Sequence, residues 1–219
     1  MCKEQYYSLE TINTQAKKFA EQLAPFRERH SIATLKPEKA ALLIIDMQDF
    51  FLNEQSHAYI PSMQAIVPKL KNLQDHFLQN NLIVIQTKHS NTIENSGQMM
   101  SWWGAILTPN DPMVKIIPEL ADSKIPIIPK SQYDAFCETD LEQKLREGGI
   151  EQVIIGGVMT HLCCESTARA AFFKGFDVFF IIDGVATYNE QFHFNSLHNL
   201  AHGFATMVLS EEILSRGHT

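Results

Sequence analysis

The sequence predicts an α/β fold: a doubly wound six-stranded parallel sheet flanked by helices, with an added N-terminal helix. Three observations carry this. Runs such as Leu42-Leu43-Ile44-Ile45 and Val153-Ile154-Ile155 are continuously apolar, which suits strands covered on both faces. Six such runs alternate with helical segments, as right-handed β–α–β crossovers require. Polar residues able to do chemistry stand just after several runs, where open α/β sheets place their sites.

The elements follow in order. Leu9, Ile12, Ala16, Phe19 and Leu23 recur at three- and four-residue spacing, so residues 9–30 read as an amphipathic helix packed outside the main domain. Residues 31–39, with Lys36-Pro37-Glu38-Lys39, read as a linker. The division expected is an N-terminal extension over 1–36 and one domain over 37–219. The first strand, Ala40 to Ile45, runs straight into Asp46. Residues 62–79 place Ile66, Leu70, Leu73 and Phe77 on one helical face, with Pro68 expected to start or bend the helix. The second strand is Leu82 to Ile85, leading to Gln86-Thr87-Lys88-His89. Residues 90–118 form a long irregular connection, a length that often signals function. Ile125 to Pro129 is a short strand whose prolines suggest an edge. Thr139 and Glu142 have the spacing of a capping box, and Gly148-Gly149 ends that helix. The fourth strand is Val153 to Ile155, followed by a helix over 163–174. Val178 to Ile182 is the fifth strand and ends at Asp183. A helix over 190–202, a sixth strand over 205–209 and a short helix from Glu211 complete the chain.

Composition narrows the function. The chain has 219 residues and a formal charge of −7, which argues against a nucleic-acid partner. No apolar run approaches the roughly 20 residues of a membrane span. The N-terminal Met1-Cys2-Lys3-Glu4-Gln5 has no apolar signal core, so a cytoplasmic location is expected. The four cysteines, Cys2, Cys137, Cys163 and Cys164, show no metal-ligand spacing. Cys2 and Cys137 read as small core residues.

The stretch from Gly156 to Ala168 carries the chemistry. A buried strand ends in a glycine-bearing turn, and a helix begins beside Cys163 and Cys164. A helix N-terminus favours ionisation of a thiol, and the thiolate is the nucleophile, so Cys163 is the expected attacking group. Asp46 follows five apolar residues and reads as a general base, or alternatively as a helix cap or the partner of a buried lysine. Lys130 reads as a cation near both, or as a solvated loop lysine. Three such residues at three strand ends of one sheet converge on one edge.

Three blocks then resemble the isochorismatase-like cysteine hydrolases: Leu43-Ile44-Ile45-Asp46-Met47-Gln48-Asp49-Phe50-Phe51, Lys130-Ser131-Gln132-Tyr133-Asp134-Ala135-Phe136, and Gly157-Val158-Met159-Thr160-His161-Leu162-Cys163. They keep that superfamily's order and spacing over roughly residues 38–212. The resemblance implies a six-stranded parallel sheet of order 3-2-1-4-5-6 and an Asp46–Lys130–Cys163 triad. It also implies a cis peptide bond between Val158 and Met159, and an oxyanion hole from the Met159 and Cys163 backbone N–H groups. The family pattern places the nucleophile at Cys163, leaving Cys164 to packing. Isochorismatases proper commonly have glycine at the nucleophile position, so Cys163 points to covalent attack on an amide, ureido or carbamoyl carbon. Nicotinamidases hold a metal through an Asp-x-His motif; Thr87-Lys88-His89 offers one histidine, so no metal and no cofactor is expected. Ser101-Trp102-Trp103-Gly104 resembles the Phe-Trp-Gly segment of isochorismatases and reads equally as pocket wall or as core and interface tryptophan. Phe51, His89, Trp102, Trp103, Tyr133 and His161 are the candidate residues for binding a small-molecule substrate. His198 and His202, four apart on one helix, read as a solvated or interfacial face. A homo-oligomer, dimer or tetramer, is expected. Two rival functions are an isochorismatase-type vinyl-ether hydrolase using Asp46 as acid and a non-catalytic redox-sensing or binding protein.

Overall fold

The computed structural model describes residues 2–29 and 34–215. His30 and residues 31–33 of the expected helix end and linker lie outside them. The helices are α1 Ile12–Gln22, α2 Ala24–Arg29, α3 Asp49–Leu52, α4 Met63–Gln79, α5 Met99–Trp103, α6 Leu141–Glu147, α7 Glu165–Phe173, α8 Glu190–Gly203 and α9 Ser210–Ser215. The strands are β1 Ala40–Ile45, β2 Ile83–His89, β3 Ile127–Lys130, β4 Gln152–Val158, β5 Asp177–Ala186 and β6 Thr206–Val208. All strand pairs are parallel, in the order β3-β2-β1-β4-β5-β6. The expected architecture is therefore found.

Every residue of β1 and of β4 is buried, which explains their unbroken apolar runs. β3 lies at the sheet's edge, where Pro129 is tolerated because a missing N–H costs a ladder bond on one side only. α4 runs through Pro68, which faces solvent, so neither a start nor a break occurs there. Met63, Ile66, Val67, Leu70, Leu73 and Phe77 form its buried face.

Local chemistry corrects several expectations. The N-terminal helix is two helices broken at Leu23, and Leu9 is exposed rather than part of the stripe. Ile12, Ala16, Phe19 and Leu23 share the hydrophobic core of the sheet. The capping box does not form. α6 starts at Leu141 after Asp140, so Glu142 stands one position too early, and its carboxylate takes the Lys174 ammonium at 2.7 Å. Cys2 is exposed and Cys137 partly exposed, so neither is a core residue. One expectation holds: His198 and His202 stand on an exposed face, where they lie edge-on to the Phe26 ring of α2, 5.0 and 5.9 Å between centroids. No helix among the described residues is long and apolar enough to cross a membrane.

One contact fixes how the strand ends meet. Ile45 and Gly157 are paired across β1 and β4, and Gly157 has φ +119°, in the range that favours glycine. A Cβ there would lie 2.1 Å from the Ile45 carbonyl oxygen. Backbone therefore passes against backbone just before Asp46.

Candidate active site

β1 delivers Asp46, which is fully buried and has φ 50°. The Thr87 side chain of β2 holds it on two sides. Its hydroxyl donates to Asp46 Oδ1 at 2.6 Å and accepts the Asp46 backbone N–H at 3.1 Å. Lys130, the last residue of β3, reaches across β2 and places Nζ 2.7 Å from Asp46 Oδ2. Both side chains are wholly buried. Oδ2 has no aligned hydrogen bond besides this ion pair, which leaves it able to accept another proton. The ammonium also donates to the Gln132 carbonyl at 2.9 Å and to Cys163 Sγ at 3.4 Å. Nζ thus donates two hydrogen bonds and meets Asp46 as an ion pair.

Cys163 comes from a different source than expected. It lies in a π-helical turn, Thr160–Cys164, and α7 begins only at Glu165. The preceding Val158–Met159 peptide bond is cis. Cys163 is buried, and burial pushes its thiol up to about 12, against the downward pull of Lys130. This runs against the expected acidified thiol: desolvation, with the Asp46 charge, outweighs the nearby ammonium. Burial likewise pulls Lys130 down, but Asp46 and Cys163 together more than offset it, so its pKa stands above the ordinary lysine value. The Asp46–Lys130 ion pair thus lies directly beside a buried Cys163 thiol.

A cleft of about 570 Å³, open to solvent, lies over Cys163. Phe51, His89, Trp103 and Tyr133 line it, with Met159 and Cys163 at its floor. Trp103 donates its indole N–H to the Tyr133 hydroxyl at 2.8 Å, which ties α5 to the segment after β3. His89 is brought down to about 4, chiefly by burial and then by the Lys130 charge, so its ring is neutral. Two expected lining residues stand elsewhere. Trp102 is 78% exposed, because neighbours on one helical turn point about 100° apart and only Trp103 can face the cleft. His161 turns away: its Nδ1 meets Thr187 Oγ1 at 2.6 Å, and its ring stacks on Phe192.

Sequence reasoning missed Thr87 as the support of Asp46, and His57, Phe50 and Tyr188 as cleft residues. Gln48 was also missed. Its side chain accepts the His89 N–H at 2.8 Å and donates to the His89 carbonyl at 3.0 Å, fixing the end of β2. The position of Thr87 beside His89 at a strand end was a usable signal for the first; nothing local marks the others.

A metal is implied for some relatives. His57 and His89 both face the cleft, but the described residues contain no cluster of three or more His, Cys, Asp or Glu side chains able to hold one. Among the described residues the donor set at the cleft does not fit a metal.

The doubly wound sheet with these strand-end residues defines an enzyme of the isochorismatase-like cysteine hydrolase superfamily. The Isochorismatase domain matches residues 40–212, and the chain belongs to that family of hydrolases. It is 37% identical over 174 residues to Nicotinamidase 3 of Arabidopsis thaliana, covering 77% of this chain and 84% of that one. It is 32% identical over 182 residues to Enterobactin synthase component B of Escherichia coli strain K12, covering 82% of this chain but 64% of that relative's length. A cysteine hydrolase from Pseudomonas syringae pv. phaseolicola 1448A superposes with a TM-score of 0.80 at 26% identity, covering 84% of this chain and 94% of that one.

Proposed function

We propose that this hydrolase cleaves the C–N bond of a small amide, ureido or carbamoyl compound through a thioester on Cys163. The observation that supports it most is one buried ammonium, Lys130 Nζ, 2.7 Å from Asp46 Oδ2 and 3.4 Å from Cys163 Sγ beneath the cleft. Asp46 takes the thiol proton as sulfur attacks the carbonyl carbon. A neutral resting thiol suits this, since proton loss then accompanies attack. The new oxyanion accepts hydrogen bonds from the Met159 and Cys163 backbone N–H groups. The C–N bond breaks, and the leaving nitrogen takes the proton back from Asp46. Water then attacks the thioester, giving its proton to Asp46, and the acid leaves as Cys163 recovers its hydrogen. Lys130 holds the Asp46 side chain in place while the proton comes and goes.

The cleft favours a neutral, partly aromatic substrate. Its described lining is largely aromatic and apolar, and none of it is lysine or arginine. A substrate with several carboxylates would find no counter-ion there, whereas an uncharged amide would.

The test is intact-mass spectrometry after brief exposure to nicotinamide, benzamide, phenylurea and N-carbamoylglycine, with turnover followed in parallel. The expected result is turnover of at least one compound, an acyl adduct on Cys163, and loss of both in Cys163→Ala. Full turnover by Cys163→Ala, with loss in Asp46→Ala, would overturn the thiol mechanism and favour acid chemistry by the carboxylate.

A further inference from the structure

The adjacent tyrosines Tyr6 and Tyr7 lie before the family match begins, yet both are buried against the back of the turn that holds Cys163. We infer that they are positioning residues for the nucleophile, Tyr7 anchoring Thr160 through His193 and Tyr6 anchoring His161 through Thr187.

Tyr7 acts through His193. The Tyr7 hydroxyl lies 3.2 Å from the Ile182 carbonyl and 3.2 Å from His193 Nε2. A carbonyl can only accept, so the one hydroxyl proton goes to Ile182. His193 Nε2 must then carry a hydrogen and donate it to the Tyr7 oxygen. That leaves Nδ1 as an acceptor, and Thr160 Oγ1 stands 3.1 Å from it, in place to donate. One tautomer of a neutral ring satisfies every bond. Burial, which brings His193 down to about 3, keeps the ring in that form.

Tyr6 acts through Thr187. Its hydroxyl oxygen accepts the Thr187 backbone N–H at 3.0 Å, and the Thr187 hydroxyl holds His161 Nδ1 at 2.6 Å. His161 is further gripped by Phe192, ring on ring at 4.5 Å and 5°. Thr160 and His161 open the turn, and the turn closes on itself through Leu162 and Cys164 N–H groups donating to the Met159 carbonyl. Both residues that orient its first half are thus held from outside it. The segment carrying the tyrosines is itself fastened: the Glu4 N–H donates to the Tyr188 carbonyl at 2.8 Å, and Lys3 Nζ donates to the His57 carbonyl at 2.7 Å.

The catalytic consequence rests on the thiol reading of the site; the anchoring itself does not. Tyr6→Phe and Tyr7→Phe keep the rings and remove one hydroxyl each. Two measurements test the idea in the full-length protein. Hydrogen exchange followed by mass spectrometry should show faster exchange in peptides spanning 160–164 in the double variant, with β1 and β2 peptides unchanged. Acylation by p-nitrophenyl acetate, read as the p-nitrophenolate burst, should keep an amplitude near one per chain. Its rate constant should fall about tenfold in each single variant and about a hundredfold in the double, as a displaced nucleophile loses alignment. Unchanged exchange over 160–164 overturns the anchoring. A lowered burst amplitude with an unchanged rate constant overturns positioning in favour of simple destabilisation. Absence of any burst from the native chain sinks the thiol reading, and the exchange comparison still decides the anchors.

Discussion

Replacing Lys130 by methionine tests the core of the site by stability alone. The substitution keeps most of the buried apolar stem and removes the ammonium. Asp46 is then a fully buried carboxylate whose ion-pair partner, 2.7 Å away in the native chain, is gone. At an effective dielectric of about 20 the lost attraction is about 6 kcal/mol, and desolvation no longer endured by the lysine offsets part of it. Breaking a buried pair by removing one partner costs about 3–5 kcal/mol. For a chain of 219 residues, unfolding entropy of about 2.1 cal/mol/K per residue converts this to a melting temperature lower by about 7–11 °C. Urea unfolding followed by circular dichroism gives the free energy, and scanning calorimetry gives the temperature. The double variant Lys130→Met, Asp46→Asn removes both charges and should recover at least about 2 kcal/mol of the single variant's loss. A Lys130→Met protein within about 1 kcal/mol of native, or a double variant whose loss is the sum of the two singles, would refute the claim that the pair is buried and mutually dependent.

Other outcomes follow from the same geometry. Gly157→Ala should cost more than about 4 kcal/mol and yield little folded protein, since its Cβ would meet the Ile45 carbonyl; expression yield and thermal unfolding check this. Thr87→Val removes the 2.6 Å hydrogen bond to Asp46, which should cost about 1.5–3 kcal/mol in urea unfolding and lower the rate of whichever amide is turned over. Iodoacetamide at pH 7 should label exposed Cys2 well before Cys163: a thiol at about 12 is ionised about three-thousandfold less than a free one near 8.5, and peptide mapping distinguishes them. Histidine protonation should weaken the fold in acid. His193 is held to about 3 by burial, below its ordinary 6.5, so the unfolded chain binds the extra proton; its contribution is complete above pH 6.5 and is lost as pH falls toward 3. Between pH 6 and 4.5 unfolding free energy should drop about 1.4 kcal/mol per pH unit more steeply than in His193→Gln; equal slopes would refute the buried neutral ring.

The sheet was readable because burial on both faces leaves β1 wholly apolar and β4 apolar after its first residue, Gln152, and the positions that follow the strands then stand out as the first polar ones. That is how Asp46, Lys130 and Cys163 could be expected on one edge. What escaped depends on neighbours distant in sequence. Thr87 supports Asp46 from another strand, 41 residues away. The rise of the Cys163 pKa comes from desolvation, which exists only once the chain has closed around the thiol. Trp102 and Trp103 are indistinguishable by type, and only the phase of a five-residue helix, α5, decides which faces the cleft. The proposed capping box failed by one residue of register, a margin that pattern alone does not resolve.

The cleft is built from two kinds of chain. Asp46 and Lys130 stand at strand ends and Cys163 in the turn that follows β4, but Met99, Trp103 and Leu107 of the facing wall belong to the long connection between β2 and β3. The Asp46–Lys130–Cys163 cluster and the wall facing it are therefore separable by protein engineering. A library confined to residues 99–107 can alter shape and polarity over Cys163 without touching β1, β4 or the ion pair. Selectivity in this scaffold is open to redesign by loop exchange at little risk to the fold.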